Sequence, residues 1–281
     1  MTELFPVQVT APDLPPAGDR PVVFHGVNKS GSLAMADVAF EAYQAAGRDD
    51  EFVSHYHDRP RDFDEFTHDM HRRDGHSFFV AHYIYKRVPL PPQTLLISQV
   101  RHPLPRALSV HGWLKRNHLR RHQTLAGFPE LPAWVESTRG TRNTQMSQFA
   151  LGFADGWRRT LSSMSPEAVY EQAVENLHRD FAWIGVAERF EESIFAMAHV
   201  CGLAAVPAWL KNTRNRWRQH LADTDQDTID LIRDTFAAEF AFYAHVVRVF
   251  EERLSDMDLG PSISGYKARC LNEYGDRLLR A

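Results

Sequence analysis

The stretch Val22-Val23-Phe24-His25-Gly26-Val27-Asn28-Lys29-Ser30-Gly31-Ser32-Leu33 decides the fold. Val22 to Phe24 is β-branched and aromatic, which suits a buried strand. Gly26 and Gly31 open backbone angles that other residues resist. Ser30 and Ser32 are good N-cap residues, and Leu33, Ala36, Phe40 and Tyr43 follow at helical spacing. Gly47 marks the helix stop. The stretch therefore predicts strand, tight loop, helix. Free backbone N–H groups and the positive helix end converge on the loop, which makes it an anion site, and Lys29 adds a full charge.

Spacing narrows the kind of anion site. A nucleotide-triphosphatase loop places Lys after its second Gly, whereas Lys29 precedes Gly31. No dinucleotide G-x-G-x-x-G occurs here. On these residues alone, an ordinary strand–turn–helix corner with an exposed Lys fits as well.

The net charge of −4 over 281 residues leaves no global basic footprint, so nucleic acid is not the expected partner. Basic residues still cluster at Arg101 to Arg121, Arg139 to Arg142 and Lys211 to Arg218, which suits a small or polymeric anionic ligand. Cys201 and Cys270 are too few for a disulfide framework or a zinc pattern, and point to a reducing compartment. No signal peptide and no run of transmembrane length is visible, so a soluble cytoplasmic protein is expected. His55 and His57 alternate as metal ligands can, but read better as exposed loop histidines.

Along the chain, residues 1–20 carry four prolines and read as an extended arm. Strands are expected at 51–56, 78–85 and 94–100, the last bounded by Pro92 and Pro103. Its continuous apolar character suits a parallel strand covered on both faces. Residues 57–76 predict a surface loop with a short helix. A helix is expected over 104–117 and a long polar excursion over 118–140. Helices over 144–153 and 166–176, a strand over 181–185 and a helix over 190–201 follow. A single long amphipathic helix is expected over 225–254. Strands alternating with helices imply one α/β domain over 21–254 on a parallel sheet, with a C-terminal tail over 255–281 that packs on the domain or extends from it.

A second motif follows the 94–100 strand: Val100-Arg101-His102-Pro103-Leu104-Pro105-Arg106-Ala107-Leu108-Ser109. Arg101 lies at the carboxyl end of a parallel strand, where open α/β sheets bind ligands. Its planar fork can hold a phosphate through two bonds. Ser109 lies eight positions on, and can add a hydroxyl if the helix passes the same phosphate. Taken singly, a strand-end salt bridge and a small packing residue account for them.

Together the two motifs resemble the phosphate sites of sulfotransferases that use 3′-phosphoadenosine-5′-phosphosulfate (PAPS). Lys29-Ser-Gly-Ser32 resembles their 5′-phosphosulfate loop, and Arg101 with Ser109 their 3′-phosphate site. Three further stretches resemble the carbohydrate-type branch: Asn143 to Gly152, Phe181 to Ser193, and Leu210 to Thr213. The likeness runs from about Val22 to Leu254 and departs at His102, where the family usually has an acid, and at Asn28, often Pro. It implies a P-loop-like three-layer α/β fold with a central parallel sheet flanked by helices. It further implies sulfuryl transfer from PAPS to a hydroxyl or amine of a carbohydrate or small metabolite, with no metal required. By that resemblance Lys29 is the expected catalytic cation, the backbone N–H groups of Ser30, Gly31, Ser32 and Leu33 with the Ser30 and Ser32 hydroxyls would hold the 5′-phosphate, and Arg101 and Ser109 would hold the 3′-phosphate. His82, at the end of the 78–81 run, is the expected general base. His25 and His111 are its competitors, and Tyr83 and Tyr85 read as core or acceptor walls rather than catalysts. The acceptor region, roughly 50–76 and 113–140, matches nothing assignable. A kinase-like phosphotransferase and a non-catalytic binder of phosphorylated or sulfated ligands are the alternatives.

Overall fold

The computed structural model describes residues 4–6, 18, 20–55, 63–72, 77–82, 85–138, 145–152, 156–207 and 221–268. Its centre is a five-stranded, wholly parallel sheet of β2 (Val22–Gly26), β3 (Phe52–His55), β4 (Phe78–His82), β5 (Leu95–Val100) and β6 (Phe181–Val186). The spatial order is β3-β4-β2-β5-β6. A short strand β1 (Leu4–Pro6) pairs antiparallel with β7 (Ala205–Pro207), so the expected N-terminal arm is tied down by a strand.

The period of two along each strand gives the sheet two covered faces. Phe24 and Phe78 share one face, and Tyr43 of α1 (Ser32–Ala45) lies on Phe78 and Phe52 there. His25 points to the other face, among Tyr85, Phe181 and Phe149 of α5 (Gln145–Leu151). Because both faces are covered, β2 is buried along its whole length. Helices α1 and α8 (Phe190–Val200) pack together, and α8 lies against β6. Helices α5, α7 (Pro166–Asp180) and α10 (Ala237–Ser255) form a second group. The result is the expected three-layer α/β fold. Gly152, just past α5, adopts φ +57°, and a Cβ there would meet the Tyr85 carbonyl oxygen at 2.2 Å, so only glycine allows this approach.

Most expected elements appear within a few residues, with four corrections. Helix α1 is capped by Gly31 in the left-handed region, not by a Ser30 or Ser32 side chain. Both hydroxyls instead donate to the Val27 carbonyl inside the loop. The 118–140 excursion is partly helical: α3 (Pro103–His122) runs on, and α4 (Leu131–Thr138) follows a short loop. Their polar residues lie on outward faces, which hides helical periodicity from an apolar count. The 225–254 helix is broken at Phe236 into α9 (Gln226–Thr235) and α10. Helices α2 (Phe63–Arg72) and α6 (Trp157–Ser163) complete the set; α6 lies in a stretch with no expected element. A helical segment at 260–268 packs Ile263 and Tyr266 into the core, so the described part of the tail belongs to the domain. Among the described residues, no helix is long and apolar enough to cross a membrane.

Candidate functional site

Strand order locates the site. From β2 the chain moves outward to β3 and returns to β4, which lies beside β2. It then crosses to β5 on the opposite side of β2. The connections leaving β2 and β5 thus run in opposite directions from neighbouring strands. Ligands of open parallel sheets bind in the crevice at such a reversal, beyond the carboxyl ends of the strands. The two loops that leave this point are 27–31 and 101–102, the two stretches singled out from the sequence.

The first loop is braced from within. The Ser30 and Ser32 hydroxyls both reach the Val27 carbonyl, at 2.9 and 2.8 Å, and lie 3.1 Å from each other. Lys29 is half-buried and holds φ +65°, and Gly31 holds φ +88°. Two consecutive turns of this kind wind the chain tightly before α1 begins. The first-turn N–H groups of α1 have no acceptor within the helix, and Leu33 is exposed at this end.

Beneath the loop lies Gln99, the penultimate residue of β5, fully buried. Its Nε2 lies 3.2 Å from where a Cβ on Gly31 would stand. Among the described residues, neither its Oε1 nor its Nε2 has a hydrogen-bond partner. A buried amide without partners is costly. Here it marks the floor of the loop as a place that favours a polar guest.

The second loop is clamped from three sides. The Gln145 side chain accepts from the Arg101 N–H at 3.0 Å and donates to the Arg101 carbonyl. Glu188 accepts from the His102 N–H through both oxygens, at 3.1 Å each, and from the Tyr243 hydroxyl at 3.0 Å. The same carboxylate stands 4.0 Å from Arg101 Nε, so Arg101 does make a strand-end ion pair, though a long one. His102 caps α3, its Nδ1 accepting from the Leu104 N–H at 3.3 Å. Burial lowers its pKa, which keeps that acceptor lone pair available.

Arg106 joins the two loops. Its Nε donates to the Asn28 carbonyl at 3.1 Å, and its Nη1 lies 3.7 Å from Glu239 Oε1. Burial pushes the Arg106 pKa down and Glu239 pushes it back up. Glu239 also accepts from the N–H groups of Gln145 and Met146, at 3.0 and 3.1 Å, capping α5. A chain of contacts thus runs from the Lys29 loop through Arg106, Glu239 and Gln145 to the backbone of Arg101. Ser109 is buried on α3, one turn beyond Arg106.

The three histidines separate clearly. His82 ends β4 beside Gly26, and its Nδ1 lies 2.5 Å from the Gly26 carbonyl. A carbonyl only accepts, so Nδ1 carries a proton; in the neutral imidazole Nε2 would then hold the lone pair that a general base needs. His25 is fully buried in its aromatic cage, and burial lowers its pKa to about 3, with the neighbouring His82 adding to the effect. His111 lies on the face of α3 away from Ser109, where its Nε2 reaches the Pro129 carbonyl at 3.0 Å and its ring packs on Phe128 and Trp134. Both competitors are packing residues. Tyr85 is a core residue whose hydroxyl donates to Asp180, and burial pushes its pKa up.

The stretch from Phe181 to Ser193 has a structural role. Ser193 Oγ accepts from the Val186 N–H at 2.9 Å and donates to the Val186 carbonyl at 3.0 Å, tying α8 to the end of β6. His57, Tyr83, Asn143 and Leu210 to Thr213 lie outside the described residues. Sequence reasoning missed Gln99, Gln145 and Glu239. A signal existed for two of them. Gln99 interrupts an apolar strand, and Glu239 falls within the apolar stripe of Phe236, Phe240 and Tyr243. No protein-family model matches the chain, and no curated protein is significantly similar to it.

Proposed function

We propose that this chain is a sulfotransferase that moves a sulfuryl group from PAPS to an acceptor hydroxyl on a carbohydrate or small metabolite. One observation carries the reading. The Lys29 loop and the Arg101–Ser109 segment leave neighbouring strands at the switch point and are joined there by Arg106. Two anion-binding stretches so placed suit one ligand bearing two phosphates. The unpartnered Gln99 amide below the first loop supports a polar guest at the same place.

In this reading the N–H groups of Ser30 to Leu33 hold the 5′-phosphate. The Ser30 and Ser32 hydroxyls, already donating to Val27, shape the loop and offer only lone pairs outward. Arg101 and Ser109 hold the 3′-phosphate. The acceptor oxygen attacks sulfur while the bond from sulfur to the bridging oxygen breaks, and that electron pair passes to the departing phosphate. Lys29 stabilises the charge that develops there. The acceptor proton goes to His82 Nε2. Neutral His82 is needed, so activity should fall on the acid side as the imidazole becomes protonated.

The test is thermal denaturation with adenosine 3′,5′-bisphosphate in the presence of a metal chelator, followed by transfer of labelled sulfuryl groups from PAPS to a panel of acceptors. At 100 times its dissociation constant the bisphosphate adds about 2.7 kcal/mol of apparent stability. Arg101→Ala weakens it roughly 10–150-fold and leaves adenosine 5′-phosphate binding unchanged. His82→Ala lowers single-turnover transfer about 10²–10⁴-fold with the bisphosphate still bound. Stabilisation by ATP with Mg²⁺ but not by the bisphosphate turns the reading toward a kinase. Tight binding without transfer to any acceptor turns it toward a binding module.

A further inference from the structure

Helix α3 begins with few backbone donors. Pro103 and Pro105 carry no N–H, and the Arg106 N–H reaches the His102 carbonyl at 3.1 Å. That leaves Leu104, a buried residue whose N–H is met by His102 Nδ1 at 3.3 Å. One imidazole lone pair therefore completes the start of this helix. Helices α7 and α9 are capped by the same kind of bond, from Ser165 and Asp225. A hydroxyl and a carboxylate keep their lone pairs from about pH 5 to pH 8, and an imidazole does not.

The groups around His102 decide its charge. Its ring stands edge-on to Phe240 and Tyr243, with centroids 5.4 and 5.2 Å away. Burial disfavours the charged ring; Glu188 opposes that, and Arg233 of α9 adds to it. Tyr243 stays neutral, its hydroxyl donating to Glu188. The ring is therefore neutral at neutral pH and takes its proton on the acid side of the usual imidazole range. A protonated Nδ1 is a donor and cannot accept from the Leu104 N–H. The nearby acceptor is Glu188, which holds the His102 N–H through both oxygens at 3.1 Å but stands 4.0 Å from Arg101 Nε. Acid thus removes a helix cap and competes for a backbone clamp, and in return frees Arg101 only from a long pair.

We propose that His102 is a positioning residue for the 3′-phosphate: the neutral ring fixes the start of α3, and with it Arg101 before the helix and Ser109 within it, and a proton on Nδ1 loosens that hold. The identity of the ligand rests on the transfer reading above. Arg101 and Ser109 lie on either side of the capped turn, so loss of the cap shifts one against the other, and two groups must be aligned to grip one phosphate. The 5′-phosphate end is spared. The Lys29 loop meets α3 at Arg106, which keeps its own anchors in the Asn28 carbonyl and Glu239.

The test is calorimetry on the intact chain from about pH 8 down to about pH 5, with adenosine 3′,5′-bisphosphate and with adenosine 5′-phosphate, for the parent, His102→Asn and His102→Ala. An Asn amide oxygen caps a helix at every pH in that range. The ligand phosphates titrate there too, so each affinity is read as a ratio to that of His102→Asn at the same pH. At about pH 8 the parent and His102→Asn bind the bisphosphate alike, and His102→Ala binds it about 3–10-fold more weakly, a part of the lost cap. Toward pH 5 the parent falls to the level of His102→Ala relative to His102→Asn. Adenosine 5′-phosphate, which lacks the 3′-group, shows no such change. Hydrogen exchange in the parent, which needs no variant, shows the Leu104 amide losing protection over the same range. A ratio that stays flat, a parent that binds more tightly in acid, an equal effect on adenosine 5′-phosphate, or unchanged Leu104 protection overturns the positioning role. Absence of bisphosphate binding by the parent at about pH 8 instead refutes the donor reading, and this role with it.

Discussion

Replacing Glu239 by Gln isolates the contact that joins the two phosphate loops. The Arg106 and Glu239 side chains are 7% and 2% exposed, so solvent does little to screen them. The substitution keeps side-chain volume and one acceptor oxygen but strands the Arg106 cation in the interior. Breaking a buried pair from one side costs about 3–5 kcal/mol. One of the two N–H groups at the start of α5 also loses its acceptor, which places the expected loss in the upper half of that range. At about 2.1 cal/mol/K per residue, 281 residues carry an unfolding entropy of about 0.6 kcal/mol/K. The melting temperature should therefore fall by about 7–8 °C, and urea denaturation should show the same loss at unchanged slope. Adding Arg106→Met should recover part of it, with a coupling of about 2 kcal/mol in the double-mutant cycle. A loss below about 1 kcal/mol, or strict additivity, would refute the reasoning.

Three further outcomes are expected. His25 has its folded pKa lowered from 6.5 to about 3, so the unfolded chain takes up the proton first. Stability from this group is full above about pH 6.5 and is lost at about 1.4 kcal/mol per unit as pH falls toward 3; His25→Leu should flatten urea midpoints between pH 4.5 and 6.5, and parallel slopes would count against the burial argument. Gly31→Ala places a Cβ at φ +88°, 3.2 Å from Gln99 Nε2; it should cost about 1–2 kcal/mol, roughly 2–3 °C, and weaken the bisphosphate, and calorimetry showing parental affinity would detach the loop from the ligand. Gln99→Met removes the unpartnered amide, so the ligand-free protein should gain about 1–3 kcal/mol while the gain on bisphosphate binding shrinks; a lower ligand-free melting temperature would mean the amide is satisfied after all.

The parts of the fold that local chemistry controls were legible. The runs at Val22 and Leu95 are apolar, short and bounded by Gly or Pro, and they became the middle strand and its neighbour. The Gly47 stop is present at φ +68°, with the Gly47 and Arg48 N–H groups returning to Gln44 and Tyr43. The break at Phe236 was not legible, because no Gly or Pro marks it. Nor was the N-cap role of Gly31, since a serine two positions apart on either reading looks equally apt. In the candidate site, Lys29, Arg101 and His82 fall where the carboxyl ends of the strands put them. What escaped is the polar scaffold behind them. Gln145, Glu239 and Glu188 act through contacts between residues 44 to 94 positions apart, and no local pattern encodes such distances.

The position of β2 has a consequence for biosynthesis. It is the first strand of the sheet to leave the ribosome and the middle one in space. The strand made next, β3, pairs only with β4, so it has no place to dock until residue 82 has been made. Completion of β5 at Val100 then leaves the apolar outer edge of that strand open until β6 arrives at Phe181, 81 residues later. At about 5–20 residues per second, that edge waits about 4–16 s. An unpaired apolar strand is a template for pairing with other chains. The nascent protein is therefore most exposed to aggregation while α3 to α7 are being made, and a chaperone that shields this one edge would meet its main need.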